Sequence, residues 1–122
     1  MLPALTVHTL GGRVRPVTMA EVGPQPLSVI SQLHFDLAFV GANSISSERG
    51  LSTPDSDEAA IKAAMIRNAE RSILLADHSK FAQVSLLRYA GLDELDLLIT
   101  GSELGERHRS ALEDVDVEVQ YA

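Results

Sequence analysis

Four polar clusters in this sequence contain the residue types that do chemistry. "ADHSKF" (76–81) bunches Asp77, His78, Ser79 and Lys80 directly after an apolar run. An acid, an imidazole, a hydroxyl and an amine together could support nucleophilic catalysis, hold an anion, or form a surface turn capped by Asp77. "FVGANSI" (39–45) closes a second apolar run, and Gly41 there lets the backbone approach a ligand closely, unless it merely ends the strand. Glu58 and Lys62 stand four apart, the spacing of an ion pair on one helix face. They could also border a crevice shared with the Gly41 loop. Finally, Gly11-Gly12 with Arg13 and Arg15 reads as a turn presenting cations to an anion or to solvent.

Several chemistries lack their signatures. No G-x-S-x-G elbow surrounds Ser79, and no third group is placed to orient a base, so no catalytic residue is assigned. "FVGANSI" has one glycine where a dinucleotide fingerprint needs three. The four histidines (His8, His34, His78, His108) are scattered, with no H-x₃-H or H-E-x-x-H pair, and cysteine is absent. No metal site and no cofactor are therefore expected. An amine at a strand exit suits a phosphate or carboxylate, and Asp77 suits a sugar hydroxyl or orients the amine.

The scaffold follows from where apolar runs alternate with helical spacing. "ALTVHTL" (4–10) reads as a strand stopped by Gly11-Gly12, and 13–19 as an extended piece that Pro16 confines to an edge or bend. A helix is expected over 24–33, then a strand over 36–40 and a polar loop over 41–50. Thr53 as N-cap and Pro54 as first residue open a helix reaching about Glu70, with Ile61, Met65 and Ala69 on one stripe. Strands follow at 72–76, 83–88 and 96–100, then a helix at 104–113. "VDVEVQY" (115–121) alternates as an edge strand. The fold class is α/β, a mainly parallel sheet flanked by helices on both faces in a Rossmann-like three-layer arrangement. In such folds ligands bind outside the carboxyl ends of strands, where loops 41–50 and 77–80 both lie.

At 122 residues the sequence has the length of one domain, and with five aromatic residues its core must be aliphatic. A formal charge of −7 and no basic stripe argue against nucleic-acid binding by this segment itself. No stretch approaches the roughly 18 apolar residues of a membrane span, and no signal peptide is evident, so a cytoplasmic location is expected.

Taken in order, "TLGGRVRP", Gly23 before a helix, "DLAFVGANSIS", "GLSTPDSDEAAIKAAMI", "LLADHSKF" and "LDLLIT" resemble the effector-sensing domain of DeoR-type sugar-metabolism repressors. The resemblance spans about residues 7–101. It implies a fold similar to ribose-5-phosphate isomerase and glucosamine-6-phosphate deaminase, and a phosphorylated sugar as effector. It places Gly41, Ala42, Asn43, Asp77 and Lys80 at the effector crevice, with Glu58 and Lys62 as further contributors. It also implies that 1–122 forms the C-terminal part of a larger sensor domain. DNA would then be contacted only through a winged helix-turn-helix outside this sequence, and a Gly-Gly-Thr phosphate loop would precede it. A homo-oligomer is expected, because part of such a sheet leaves apolar edges open. One departure from the family and one contrast with the related isomerases matter. Gly101 stands where the family has Asp after "LLIT", which removes that carboxylate. "GANS" replaces the isomerases' G-A-D-E, and neither an amide nor a hydroxyl is a useful general base near neutral pH, which favours a sensor over an enzyme.

Overall fold

A computed structural model describes residues 4–122. The chain begins with a two-residue hairpin, β1 (Arg13–Val14) and β2 (Glu21–Val22), followed by α1 (Pro24–Ser31) and β3 (Phe35–Val40). Then come β4 (Ser44–Ser46), β5 (Gly50–Thr53), α2 (Ser56–Asn68) and β6 (Ala69–Leu75). A 3₁₀ turn (His78–Ala82), β7 (Leu87–Ala90), a second 3₁₀ turn (Leu92–Glu94), β8 (Leu97–Thr100), α3 (Glu106–Glu113) and β9 (Glu118–Tyr121) complete it.

The central sheet has the order β3-β6-β8-β9, and every pairing in it is parallel. The α/β class and the mainly parallel sheet read from the sequence are thus present, as is the edge position of β9. Strands are added in one direction, and right-handed crossovers then carry every connection over the same face. On that face Ala38, Val40, Leu74 and Leu98 pack with Ile66 of α2, Phe81 of the 3₁₀ turn, and Leu112 of α3. A small antiparallel sheet, β4-β5-β7, adds Ile45, Leu51 and Ala90 to this core. A second apolar cluster joins Val22 and Ile30 to Ile61 and Ala64, which fixes the hairpin and α1 against the outer side of α2.

The same one-way topology leaves the other face uncovered among the described residues. Strand alternation and register put Leu37, Phe39, Ile73, Leu75, Leu97 and Ile99 there. Leu37, Phe39 and Leu75 are 49%, 57% and 47% exposed, values far from a core, whereas Ile73 between them is 9% exposed. The flanking on both faces expected from the sequence is met on one; covering the second requires crossovers running the opposite way from β3.

Several local expectations need correction. Residues 5–10 form no strand; the Leu10 and Gly11 N–H groups instead donate to the Glu21 carboxylate, at 3.3 and 2.7 Å. Of 13–19 only Arg13–Val14 is strand, because Pro16 turns the chain and Met19 takes a positive φ of 60°. The 41–50 loop contains β4, which pairs back onto β5. Thr53 is the last, fully buried residue of β5 and caps nothing. The cap is Asp55, whose carboxylate accepts the Glu58 N–H at 2.9 Å, so the helix starts at Ser56 beyond Pro54 and stops at Asn68. The strand expected at 83–88 lies at Leu87–Ala90, where β7 can pair with β5. Among the described residues no helix is long and apolar enough to cross a membrane.

Candidate functional site

Loops leaving the carboxyl ends of β3, β6 and β8 meet because those strands are parallel neighbours in register. Val40 sits beside Leu74, Leu75 beside Ile99, and the Ala76 N–H donates to the Ile99 carbonyl at 3.1 Å. Gly41, exposed, follows β3; Ala42 and Asn43 are half-buried behind it, and Ala42 packs on the core. Asp77 and Lys80 follow β6 on the 3₁₀ turn. Sequence reasoning therefore chose loops that the sheet does bring to one end.

Tyr89 links the first of these loops to α2, and nothing in its sequence context marked it. Its hydroxyl donates to the Gly41 carbonyl at 3.2 Å, and Lys62 Nζ lies 5.6 Å from its ring centroid. Burial pushes the Tyr89 phenol well above its ordinary value of 10.0, so it remains a hydrogen-bond donor. Burial, and then the Arg15 charge, hold the Lys62 amine below its ordinary 10.5. A base whose folded value is depressed destabilises the fold while it is charged. That penalty is relieved as pH rises through the folded value toward 10.5. A cation over an aromatic face, with no carboxylate in ion-pair range among the described residues, is placed to receive an anion.

Glu58 stands apart from Lys62. Its buried carboxylate forms an ion pair with Arg15 from the β1–β2 hairpin, and Arg15 Nε also lies 3.9 Å from Asp55. Arg13 pairs with Asp57 at 2.9 Å. The expected Glu58–Lys62 pair is thus replaced by a clamp between hairpin and helix, and neither arginine is left for a ligand. Glu58 and Lys62 do share a cavity of about 220 Å³ with Leu10, Val22, Ile61 and Met65, on the hairpin side of α2.

The "DHSK" turn is more ordered than a surface loop requires. Asp77 caps it: one carboxylate oxygen accepts the Ser79 hydroxyl at 2.5 Å and the Ser79 N–H at 3.1 Å, and these bonds hold its carboxyl below the usual range. The Ser79 hydroxyl is thereby engaged by Asp77. His78 is half-buried, with Nδ1 3.4 Å from Asp77 and 3.2 Å from Glu103 in the loop after β8. A carboxylate therefore does stand beside Gly101, supplied from two residues further on. Lys80 is half-buried and has no carboxylate within ion-pair distance among the described residues.

Comparison with known proteins places this architecture. Residues 2–102 match the model of the DeoR C-terminal sensor domain. The chain is 40% identical over 113 residues to the HTH-type transcriptional regulator GlpR of Haloferax volcanii, covering 93% of this chain and 44% of the relative. It is 35% identical over 96 residues to the HTH-type transcriptional repressor GlcR of Bacillus subtilis, covering 79% and 37%. It is 31% identical over 80 residues to the glycerol-3-phosphate regulon repressor of Haemophilus influenzae, covering 66% and 31%. The chain thus spans less than half the length of these relatives. An all-parallel sheet, the motif order and these matches agree: the chain belongs to the DeoR C-terminal sensor domain family.

Proposed function

We propose that this chain is the effector-sensing part of a cytoplasmic DeoR-type repressor, binding a phosphorylated sugar at the carboxyl ends of β3 and β6. Effector binding would control a winged helix-turn-helix carried elsewhere in the regulator, and residues 1–122 would form one part of the sensor domain. One observation carries this reading. The chain has two lysines, Lys62 beside the Tyr89 ring and Lys80 on the turn after β6, and among the described residues neither has a carboxylate within ion-pair distance, whereas Arg13 and Arg15 are paired. A phosphate supplies the missing charge, and the Gly41, Ala42 and Asn43 backbone and Asp77 remain to meet sugar hydroxyls. One relative is named for the glycerol-3-phosphate regulon, in keeping with a phosphorylated ligand. Asn43 and Ser44 stand where an isomerase needs acids, and Ser44 is buried on Ser85 at 2.7 Å, so the site binds without turnover.

Thermal-shift measurements with sugar phosphates and their unphosphorylated counterparts test this. A phosphorylated sugar should raise the melting temperature, and its parent sugar should not. Lys80→Ala and Lys62→Met should each weaken binding by about 10- to 150-fold, the loss of one charge-assisted contact of roughly 1.5–3 kcal/mol. Lys62→Met should nonetheless melt no lower than wild type without ligand, since it removes a partly buried charge. Wild-type responses in both variants would sink the reading.

The bare sheet face favours an additional role. Leu37, Phe39 and Leu75 form an exposed apolar surface continuous with the open edge of β3, and such surfaces are covered in stable assemblies. We propose that this face pairs with a second copy when the chain stands alone. Sedimentation should give a dimer or larger species for wild type and a monomer for Phe39→Glu; a concentration-independent wild-type monomer excludes it.

A further inference from the structure

The geometry points to a divalent-cation site at Asp77, His78 and Glu103, with His78 Nδ1 and one carboxylate oxygen from each acid as ligands. These three atoms lie within 4.8 Å of one another, across the loops that follow β6 and β8. His78 Nδ1 is buried and makes no hydrogen bond, although carboxylate oxygens stand at 3.2 and 3.4 Å. As a bare lone pair, this nitrogen would face two acceptor oxygens, which is repulsive. As N–H of an imidazolium, it attracts both carboxylates but meets neither in hydrogen-bond geometry. A cation among the three resolves the conflict. Nitrogen and oxygen ligands about 2.0–2.2 Å from zinc in tetrahedral array sit roughly 3.3–3.5 Å apart, close to the two separations observed.

The surroundings hold the ligands in place. Asp77 commits one carboxylate oxygen, Oδ2, to the Ser79 N–H and hydroxyl, which leaves Oδ1 turned toward His78. Arg109 donates to the carbonyls of Ser102 and Leu104, at 2.6 and 2.9 Å, and so pins the backbone on either side of Glu103. The Leu104 N–H closes that turn onto the Gly101 carbonyl at 3.2 Å. Gly101 provides the room: a Cβ there would stand 2.5 Å from Glu103 Oε2, the oxygen that faces His78. The absence of a side chain at 101 thus lets a carboxylate from position 103 reach the imidazole. One imidazole and two carboxylates suit a borderline first-row ion such as Zn²⁺, Co²⁺ or Mn²⁺, and three protein ligands leave a position open to water or an anionic oxygen. Asp77 belongs to the proposed effector crevice as well, but the ion site is tested with the ion alone and without a sugar.

Calorimetric titration of Zn²⁺ into chelator-treated protein, with Co²⁺ absorption reporting coordination, tests the site. Wild type should bind one ion and show the visible bands of a four-coordinate cobalt site. His78→Ala should lose both signals. Gly101→Ala retains all three ligands and a backbone conformation open to any residue, yet should bind at least fivefold more weakly because its methyl displaces Glu103. His34→Ala and His108→Ala, which remove imidazoles near Glu70 and Phe81, should bind as wild type. Undiminished binding in His78→Ala, or loss of the signal in His34→Ala instead, would overturn the assignment.

Discussion

Arg15→Ala should cost up to about 3–5 kcal/mol of folding stability, the usual penalty for stripping one partner from a buried ion pair. Glu58 is 3% exposed on α2, and Arg15 reaches it from a hairpin with only two residues in each strand. Removing the guanidinium leaves a buried carboxylate uncompensated and frees the hairpin from the helix. The same clamp lowers the Lys62 amine, so the substitution also relieves that amine of a nearby positive charge. Lys62, one turn along the helix, can then swing toward Glu58 and recover part of the loss. The full penalty should therefore appear in the Arg15→Ala/Lys62→Met double variant, and a smaller one in Arg15→Ala alone. Replacing both ends of the pair, as Arg15→Met/Glu58→Leu, should restore most of the stability, because burying a charge is itself costly. Urea denaturation of the four proteins measures these differences. An Arg15→Ala midpoint equal to wild type would mean that the clamp contributes nothing.

The clamp also marks where sequence reading stops. Period and composition located the parallel strands, since β3, β6 and β8 are short apolar runs whose registers follow from burial. Order alone then put the Gly41 and Asp77–Lys80 loops at one end of the sheet. Partner choice was not legible. Glu58 and Lys62 have ideal helical spacing for each other, yet a carboxylate follows the strongest nearby charge, and Arg15 is 43 residues away in sequence. Tyr89 reaches Gly41 across 48 residues, and Glu103 meets His78 only because β6 and β8 are adjacent. The Asp55 cap illustrates a nearer limit. Thr53-Pro54 has the residue types of a helix start, but pairing with Leu87 of β7 holds Thr53 in a strand, and the next acid takes over the cap.

Gly50→Ala should be comparably damaging and should also weaken the proposed effector response. Gly50 opens β5 at φ +77°, a left-handed conformation that costs an L-residue about 1–2 kcal/mol. A methyl there would also overlap the Ala90 carbonyl oxygen and stand 2.9 Å from the Gly91 Cα. Those are backbone atoms that cannot rotate aside, so a further ~1–3 kcal/mol of overpacking is expected. Gly50→Asn separates the two causes, since Asn tolerates positive φ better but carries the same Cβ: it should recover the conformational share and keep the steric one. The strain has a direction. Relief requires β7 to retreat from β5, and β7 carries Tyr89, which holds the Gly41 carbonyl and underlies Lys62. The thermal shift proposed for a phosphorylated sugar should therefore shrink in Gly50→Ala even at ligand concentrations expected to saturate wild type. A variant at Thr18, exposed in the β1–β2 turn and remote from β7, should keep its full response. A Gly50→Ala protein that melts and responds as wild type would show that the β5–β7 approach is loose, and that Tyr89 is not positioned by it.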